Sequence, residues 1–462
     1  MSGLGMAGAA AGETAIWAAE ALLPAGWARD VTVTLADGLV RGVTPGTAAP
    51  AGAVRVDALL PAPANVHSHT FQRAMAGLTE RRGPDGADSF WTWRRLMFRF
   101  LDQLTPDDVQ AIAALAFVEM LEAGFGSVAE FHYLHHAPGG VPYADPAEMA
   151  GRIVAAAAEA GIGLVLLPVL YMQGGCDGRA LAPGQVRFGC TIDGYARLLE
   201  GAGAHAAAAG AGLGVAPHSL RAVPPAALAI AAGLRPDAPI HMHLAEQTGE
   251  VDEVLAAHGA RPVEWMLANA DIGPRWCLIH CTQMRPAETA GLAATGAVAG
   301  LCPLTEASLG DGIFDGVAWL AAGGRFGLGT DSNIRIGLTD EMQALEYSQR
   351  LRDRGRAMLA APERSTGRVL WDGAVAGGAQ ALGRVAGIVP GAAADLVGLD
   401  AGAGDLAGRS GDGLLDALVF ARGAGAIARV WSGGRPVVAD GRHGAREAVA
   451  ARYRAVAARL VG

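Results

Sequence analysis

The chain has 462 residues, 51% hydrophobic and 18% charged with 66 glycines, a balance that excludes collagen-like, coiled-coil and extensively disordered proteins and indicates a globular α/β protein. The net charge of −9 is dispersed, and no arginine run is interleaved with aromatics, so the expected partner is a small molecule and not nucleic acid. All 36 basic residues are arginine, which rules out lysine Schiff bases and carbamylated-lysine metal bridges.

The first 25 residues are alanine-rich but carry Glu13 and Glu20 and lack a basic leader, so no signal peptide is expected. Residues 31–43 (V-T-V-T-L-A-D-G-L-V-R-G-V) alternate with period 2 around an Asp-Gly turn, the pattern of antiparallel sheet. Eight short apolar runs follow: Leu59–His67, Phe125–Phe131, Gly163–Tyr171, Gly212–His218, Pro239–Ala245, Trp276–Cys281, Ala297–Cys302 and Phe326–Thr330. Most are separated by helical segments such as Pro106–Ala123, framed by Pro-Asp-Asp at its start and Gly124 at its stop. The most membrane-like stretch, Ile153–Tyr171, is interrupted by Glu159, Gly161, Gly163 and Pro168 and reads as helix, turn and strand. No membrane span is expected, and the five scattered cysteines suit a reducing cytoplasm. Beyond residue 385, D-L-V-G-L-D and A-R-V-W-S-G-G-R-P-V-V-A-D-G-R return to antiparallel alternation, and Arg446–Leu460 has helical spacing. The predicted architecture is a distorted (β/α)8 TIM barrel over residues 59–385. A small β-sandwich domain is expected from both chain ends, residues 1–58 and 386–462, the latter including the terminal helix.

In such barrels the chemistry sits at the C-terminal ends of the strands, and the unusual polar residues fall there. His67 and His69 close the first run, two apart and so on one face of a strand. The fifth run ends H-M-H-L-A-E at Glu246, the sixth at His280, and the eighth leads to Asp331. Each alone could be a satisfied core group or a helix cap; four strand ends together point to a metal centre. Cys277 and Cys281 straddle His280, but their apolar setting reads as buried strand thiols and not a metal knuckle. Three imidazoles (His67, His69, His243) with one carboxylate (Asp331) suit one Zn²⁺ per chain, while Fe²⁺ and Mn²⁺ fit the same donors. A bridged second ion lacks its lysine, and the fourth strand end offers His218 instead.

With these strand ends, the chain resembles the amidohydrolase superfamily in its mononuclear zinc deaminase branch. Longer strings, N-V-H-S-H-T-F-Q-R-A-M-A-G, S-F-W-T-W-R, A-E-F-H-Y-L-H-H, H-S-L-R-A-V, H-L-A-E-Q, C-P-L-T-E-A-S-L-G-D-G-I-F and G-T-D-S-N-I-R, are similar to those of the formimidoylglutamate deiminases. Those enzymes of histidine breakdown hydrolyse N-formimino-L-glutamate to N-formyl-L-glutamate and ammonia. The resemblance implies that His67, His69, His243 and Asp331 are zinc ligands and that Glu246, His280 and Asp331 handle the reactive water and its protons. It further implies that Gln72, Arg94, Tyr133, His218 and Arg221 line the pocket of a dicarboxylate substrate, and that the enzyme is a cytoplasmic homodimer. Arg94 lies among Arg73, Arg81, Arg82, Arg95 and Arg99, where a plain surface role is the competing reading. Two alternatives compete with the whole assignment: a deaminase of purine, pyrimidine or triazine rings, against which paired arginines argue, and a catalytically silent barrel, against which the full ligand set argues.

Overall fold

The computed structural model describes residues 14–80, 90–402 and 404–461, with the backbone alone at residues 90–92, 94, 95 and 461. The alternating N-terminal stretch forms the sheet its pattern predicts: β1 (Thr14–Leu23), β2 (Gly26–Ala36) and β3 (Leu39–Thr44) are antiparallel, and β4 (Val54–Pro61) runs parallel to β1. Asp37 and Gly38, at φ 53° and 77°, make the turn that Asp-Gly announces.

The next strands are β5 (Ala64–Ser68), β6 (Ser127–His132), β7 (Gly163–Leu170), β8 (Gly212–Leu213), β9 (Ala216–Pro217), β10 (Ile240–Leu244), β11 (Trp276–His280), β12 (Val298–Leu301) and β13 (Arg325–Leu328). All pair in parallel, in the order β10-β11-β12-β13-β5-β6-β7-β8, with β9 continuing beside β7. The ring closes at Val215, whose N–H donates to the Pro239 carbonyl at 2.9 Å while its own carbonyl accepts from His241 N–H at 3.0 Å. The result is an eight-staved barrel in which β8 and β9 form one broken stave. Gly214 sits at the break, where a Cβ would lie 2.5 Å from Leu167 and 2.8 Å from the Pro239 carbonyl oxygen.

Two runs differ from expectation. Leu59–His67 is two strands, because Pro61 and Pro63 supply no N–H to a ladder; Leu59, Leu60 and Pro61 belong to β4 and only Ala64 onward enters the barrel. Gly212–His218 is likewise divided at Gly214.

At the far end of the chain, β14 (Leu396–Leu399), β15 (Ile427–Ser432), β16 (Arg435–Ala439) and β17 (Arg442–His443) add to β4 through the antiparallel β4–β14 seam. Both chain ends thus share one sheet, ordered β17-β16-β15-β14-β4-β1-β2-β3, with a core that includes Ile16, Val33, Leu35, Leu59 and Trp431. The helix Pro106–Glu122 is capped by Thr105, which exchanges hydrogen bonds with Asp108, and the chain turns at Gly124 (φ 99°). Against it lies the terminal helix Arg446–Val461, tied by Arg446 to Glu119 and Glu122. Ile153–Tyr171 is the end of a helix (Glu148–Ala160), a left-handed Gly161 and β7, and no helix among the described residues is long and apolar enough to cross a membrane. The helix Thr366–Ala381 presses its glycine face on the barrel, and a Cβ on Gly377 would sit 1.8 Å from the Phe326 carbonyl oxygen in β13.

Candidate active site

Because successive side chains in a strand alternate faces, β5 directs His67 inward and the chain beyond it brings His69 to the same side. Their Nε2 atoms are 3.2 Å apart, and His243 Nε2, from β10, is 3.1 Å from that of His67. Asp331 follows β13 in a left-handed backbone (φ 44°) stitched to β5: its N–H donates to the His67 carbonyl and its carbonyl accepts from His69 N–H, both at 2.9 Å. Its Oδ1 lies 3.5 Å from His67 Nε2 and 3.3 Å from His69 Nε2.

The tautomers decide what this group can do. His69 Nδ1 faces the Phe131 carbonyl at 2.9 Å and His243 Nδ1 the His218 carbonyl at 3.2 Å; a nitrogen facing a carbonyl must carry the hydrogen, so each Nε2 presents a lone pair in the neutral ring. Neutral rings are what burial enforces: it lowers His69, takes His67 down to about 3, and holds His243 well below the usual imidazole range. Lone pairs and a carboxylate converging at such distances repel one another unless a cation lies among them. Donors 2.0–2.1 Å from a tetrahedral ion stand roughly 3.3–3.4 Å apart, close to the spacings seen, so the four groups fit a divalent metal. Burial would raise the Asp331 carboxyl, but its neighbours, the cationic His280 ring among them, hold it below the usual carboxylate range.

A second close group, His280, Cys302 and Asp331, is poorer in donors. Burial pushes the Cys302 thiol far up, and a protonated thiol is a weak ligand.

Glu246 faces the lone-pair cluster from beyond β10. Its position depends on the turn at Ala245 (φ 53°), where both carboxylate oxygens of buried Glu250 accept N–H groups, from Ala245 at 3.2 Å and Glu246 at 2.9 Å. Glu246 Oε1 is 3.9 Å from His280 Nε2, and Oε2 is 3.8 Å from Arg221. Burial raises the Glu246 carboxyl more than His280 and Arg221 lower it. At His280 burial works downward, but the carboxylates of Glu246, Glu306 and Asp331 prevail and lift the ring to about 10. Its Nδ1 is 3.2 Å from Glu306 Oε1 and its Nε2 3.8 Å from Asp331 Oδ2.

These groups floor a cavity whose walls include Gln72, Tyr133, His218 and Arg221, four of the five residues expected to meet substrate. Gln72 donates to the Tyr133 hydroxyl at 2.7 Å, and the His218 ring stacks on His243 with centroids 4.8 Å apart. Gln72 Oε1 and Arg221 Nε, both buried, have no partner among the described residues. The Arg94 side chain lies outside the described residues; its helix, Phe90–Leu101, contributes Trp93 and Met97 to the wall.

Sequence reasoning missed part of this assembly. Tyr171 and Phe188 complete the aromatic wall, and the only sequence signal for Tyr171 was its place just past a strand end. The groups that hold the donors were also missed. Asn65 Oδ1 accepts from His67 N and Thr330 N, both at 3.2 Å, while Asn333 donates to Ser68 at 3.1 Å. Glu130 accepts from the backbone and hydroxyl of Thr70, both at 2.7 Å, and burial raises its carboxyl to about 7. Asn65, Ser68, Thr330 and Asn333 stand inside the motifs N-V-H-S-H and G-T-D-S-N, which was the available sign.

Comparison with known proteins places this geometry in context. Residues 58–437 match the amidohydrolase family and residues 13–57 match the N-terminal domain of formimidoylglutamate deiminase HutF. The chain is 49% identical over 440 residues to formimidoylglutamate deiminase of Pseudomonas aeruginosa, covering 94% of this chain and 96% of that one. It is 30% identical to 8-oxoguanine deaminase of the same organism over 347 residues, 73% of each chain. Among solved structures, an amidohydrolase from Brucella melitensis superposes with a TM-score of 0.94 at 49% identity, covering 97% of this chain and 100% of the other.

Proposed function

The chain belongs to the amidohydrolase family, and from this we infer that it catalyses hydrolytic deimination of N-formimino-L-glutamate to N-formyl-L-glutamate and ammonia, a step of histidine degradation. The observation that carries the reading is the meeting in one cavity of a four-donor cation group, a proton-handling pair and a buried guanidinium with an idle N–H.

His67, His69, His243 and Asp331 would hold one divalent ion, and three imidazoles with a carboxylate favour zinc. When bound, such an ion lowers the pKa of water to about 7 and makes it nucleophilic at neutral pH. Asp331 Oδ1 faces the imidazoles, which leaves Oδ2 to take the proton of the attacking water. The Glu246 carboxyl, raised by burial, is suited to carry a proton to the departing nitrogen, without which ammonia is a poor leaving group. His280 Nε2, 3.9 Å from Glu246, donates to the oxygen on which charge develops, a contribution of roughly 3 kcal/mol for a preorganised donor. Arg221 would pair with one substrate carboxylate through its idle Nε, with Tyr133 as a further donor and Arg94 for the second carboxylate.

A ring deaminase is the second reading, favoured by the aromatic wall of Trp93, Tyr171 and Phe188 and by the likeness to 8-oxoguanine deaminase. An ammonia-release assay separates the two. Turnover of formiminoglutamate, abolished by chelator and restored by zinc, is expected; turnover of guanine or cytosine with none of formiminoglutamate would overturn the assignment.

A further inference from the structure

Glu306 lies outside every role assigned so far, yet it is the group that touches the far side of His280. It sits in the short helix Pro303–Leu309, is 4% exposed, and its Oε1 lies 3.2 Å from His280 Nδ1 while also accepting the Cys302 N–H at 2.9 Å. The helix is itself pinned: Leu304 N–H donates to Glu341 at 2.9 Å, and the Thr305 hydroxyl meets that of Ser332 at 2.9 Å, next to Asp331. His280 and Cys281 have left-handed backbones (φ 72° and 53°), which residues with a Cβ adopt only where tertiary contacts impose them.

We propose that Glu306 is a positioning residue for the deimination step: by accepting Nδ1–H it holds the His280 ring so that Nε2, and not carbon, faces Glu246, Asp331 and the reacting oxygen. The assignment rests on the reading of function given above. A half-turn about the Cβ–Cγ bond would exchange Nδ1 with Cδ2 and Nε2 with Cε1, presenting a carbon where the donor is needed. Only an acceptor fixed on the Nδ1 side distinguishes the two orientations, and among the described residues Glu306 Oε1 is the side-chain acceptor recorded at that nitrogen. One carboxylate oxygen makes both contacts, so a glutamine can keep its amide oxygen in that place, whereas a leucine cannot.

The test joins ring spectroscopy to kinetics on the zinc-loaded full chain. In ¹⁵N-histidine NMR, with the His280 signals identified by their loss in His280→Asn, the unaltered protein should show an Nδ1–H protected from exchange with solvent, and Glu306→Leu should lose that protection. Glu306→Leu should lower kcat on formiminoglutamate by about 100-fold with KM changed less than about threefold, and Glu306→Gln should keep most of the activity that Glu306→Leu loses. An unprotonated or unprotected Nδ1, a fall in kcat under about tenfold in Glu306→Leu, a loss confined to KM, or equal damage in the two variants would overturn the proposal. Should a variant misfold or lose zinc, the ring measurement on the unaltered protein decides alone. If that protein releases no ammonia from formiminoglutamate, the functional reading fails, while the state of Nδ1 still reports on Glu306.

Discussion

Gly377→Ala probes how the barrel holds Asp331 in place. The added Cβ would lie 1.8 Å from the Phe326 carbonyl oxygen and 2.3 Å from its carbon, where an unstrained carbon–oxygen contact is about 3.3 Å or longer. Roughly 1.5 Å must be found by moving the helix Thr366–Ala381 or β13. The obstacle is backbone, paired with Ala299 of β12, so no side chain can swing aside. Overpacking of this kind costs about 1–3 kcal/mol. With an unfolding entropy of about 2.1 cal/mol/K per residue, 462 residues amount to roughly 1 kcal/mol/K, so Tm should fall by about 1–3 °C. A shift of β13 also displaces Asp331 from His67 and His69, and a misplacement near 1 Å can lower turnover by about 100-fold. Scanning calorimetry and zinc titration of Gly377→Ala beside Gly413→Ala, a site with nothing within 4 Å of the new Cβ, would measure both effects. A Gly377→Ala protein with the Tm and zinc affinity of the Gly413→Ala control would refute the reasoning.

Three further outcomes are expected. Glu246→Gln should lower kcat by about 10²–10⁴-fold with zinc content and KM unchanged, and normal turnover would remove Glu246 from the mechanism. Dialysis against a chelator should abolish ammonia release and lower Tm. For an ion present at 100 times its Kd the lost stabilisation is about 2.7 kcal/mol, and calorimetry with and without added zinc reads it. His135, buried with Nε2 donating to the Val169 carbonyl at 2.9 Å, is lowered by that burial to about 4. A histidine whose folded pKa lies below its ordinary 6.5 contributes stability that is complete above pH 6.5 and lost as pH falls toward 4, here by about 3 kcal/mol. Denaturant unfolding of His135→Gln should therefore show a shallower acid loss over that window, and parallel curves for the two proteins would contradict it.

Much of the site was legible because its donors lie in short motifs at strand ends. His67 and His69 are two apart, which the period-2 geometry of a strand puts on one face, whereas Glu246, three beyond His243 and past the end of β10, reaches the site through the left-handed turn at Ala245. The antiparallel character of both chain ends was legible for the same reason, since period-2 alternation shows within about ten residues, and the β/α alternation was legible from the succession of short apolar runs and longer helical segments. The division of Leu59–His67 was not, although Pro61 and Pro63 stand in plain view: an unbroken apolar run satisfies a buried strand in either sheet, and only the pairing of Leu60 with Val397 of β14 assigns it.

By itself the sequence determined which residue types reach the barrel rim, because the face a side chain takes is a property of a few consecutive residues. The tertiary structure alone decided what each of them meets. Asn65 finds Thr330 across 265 residues, His280 finds Glu306 across 26, and Gly377 is required by a carbonyl on another element. Such pairings exist only once the eight staves close, and closure is governed by packing between segments that carry no local mark of one another.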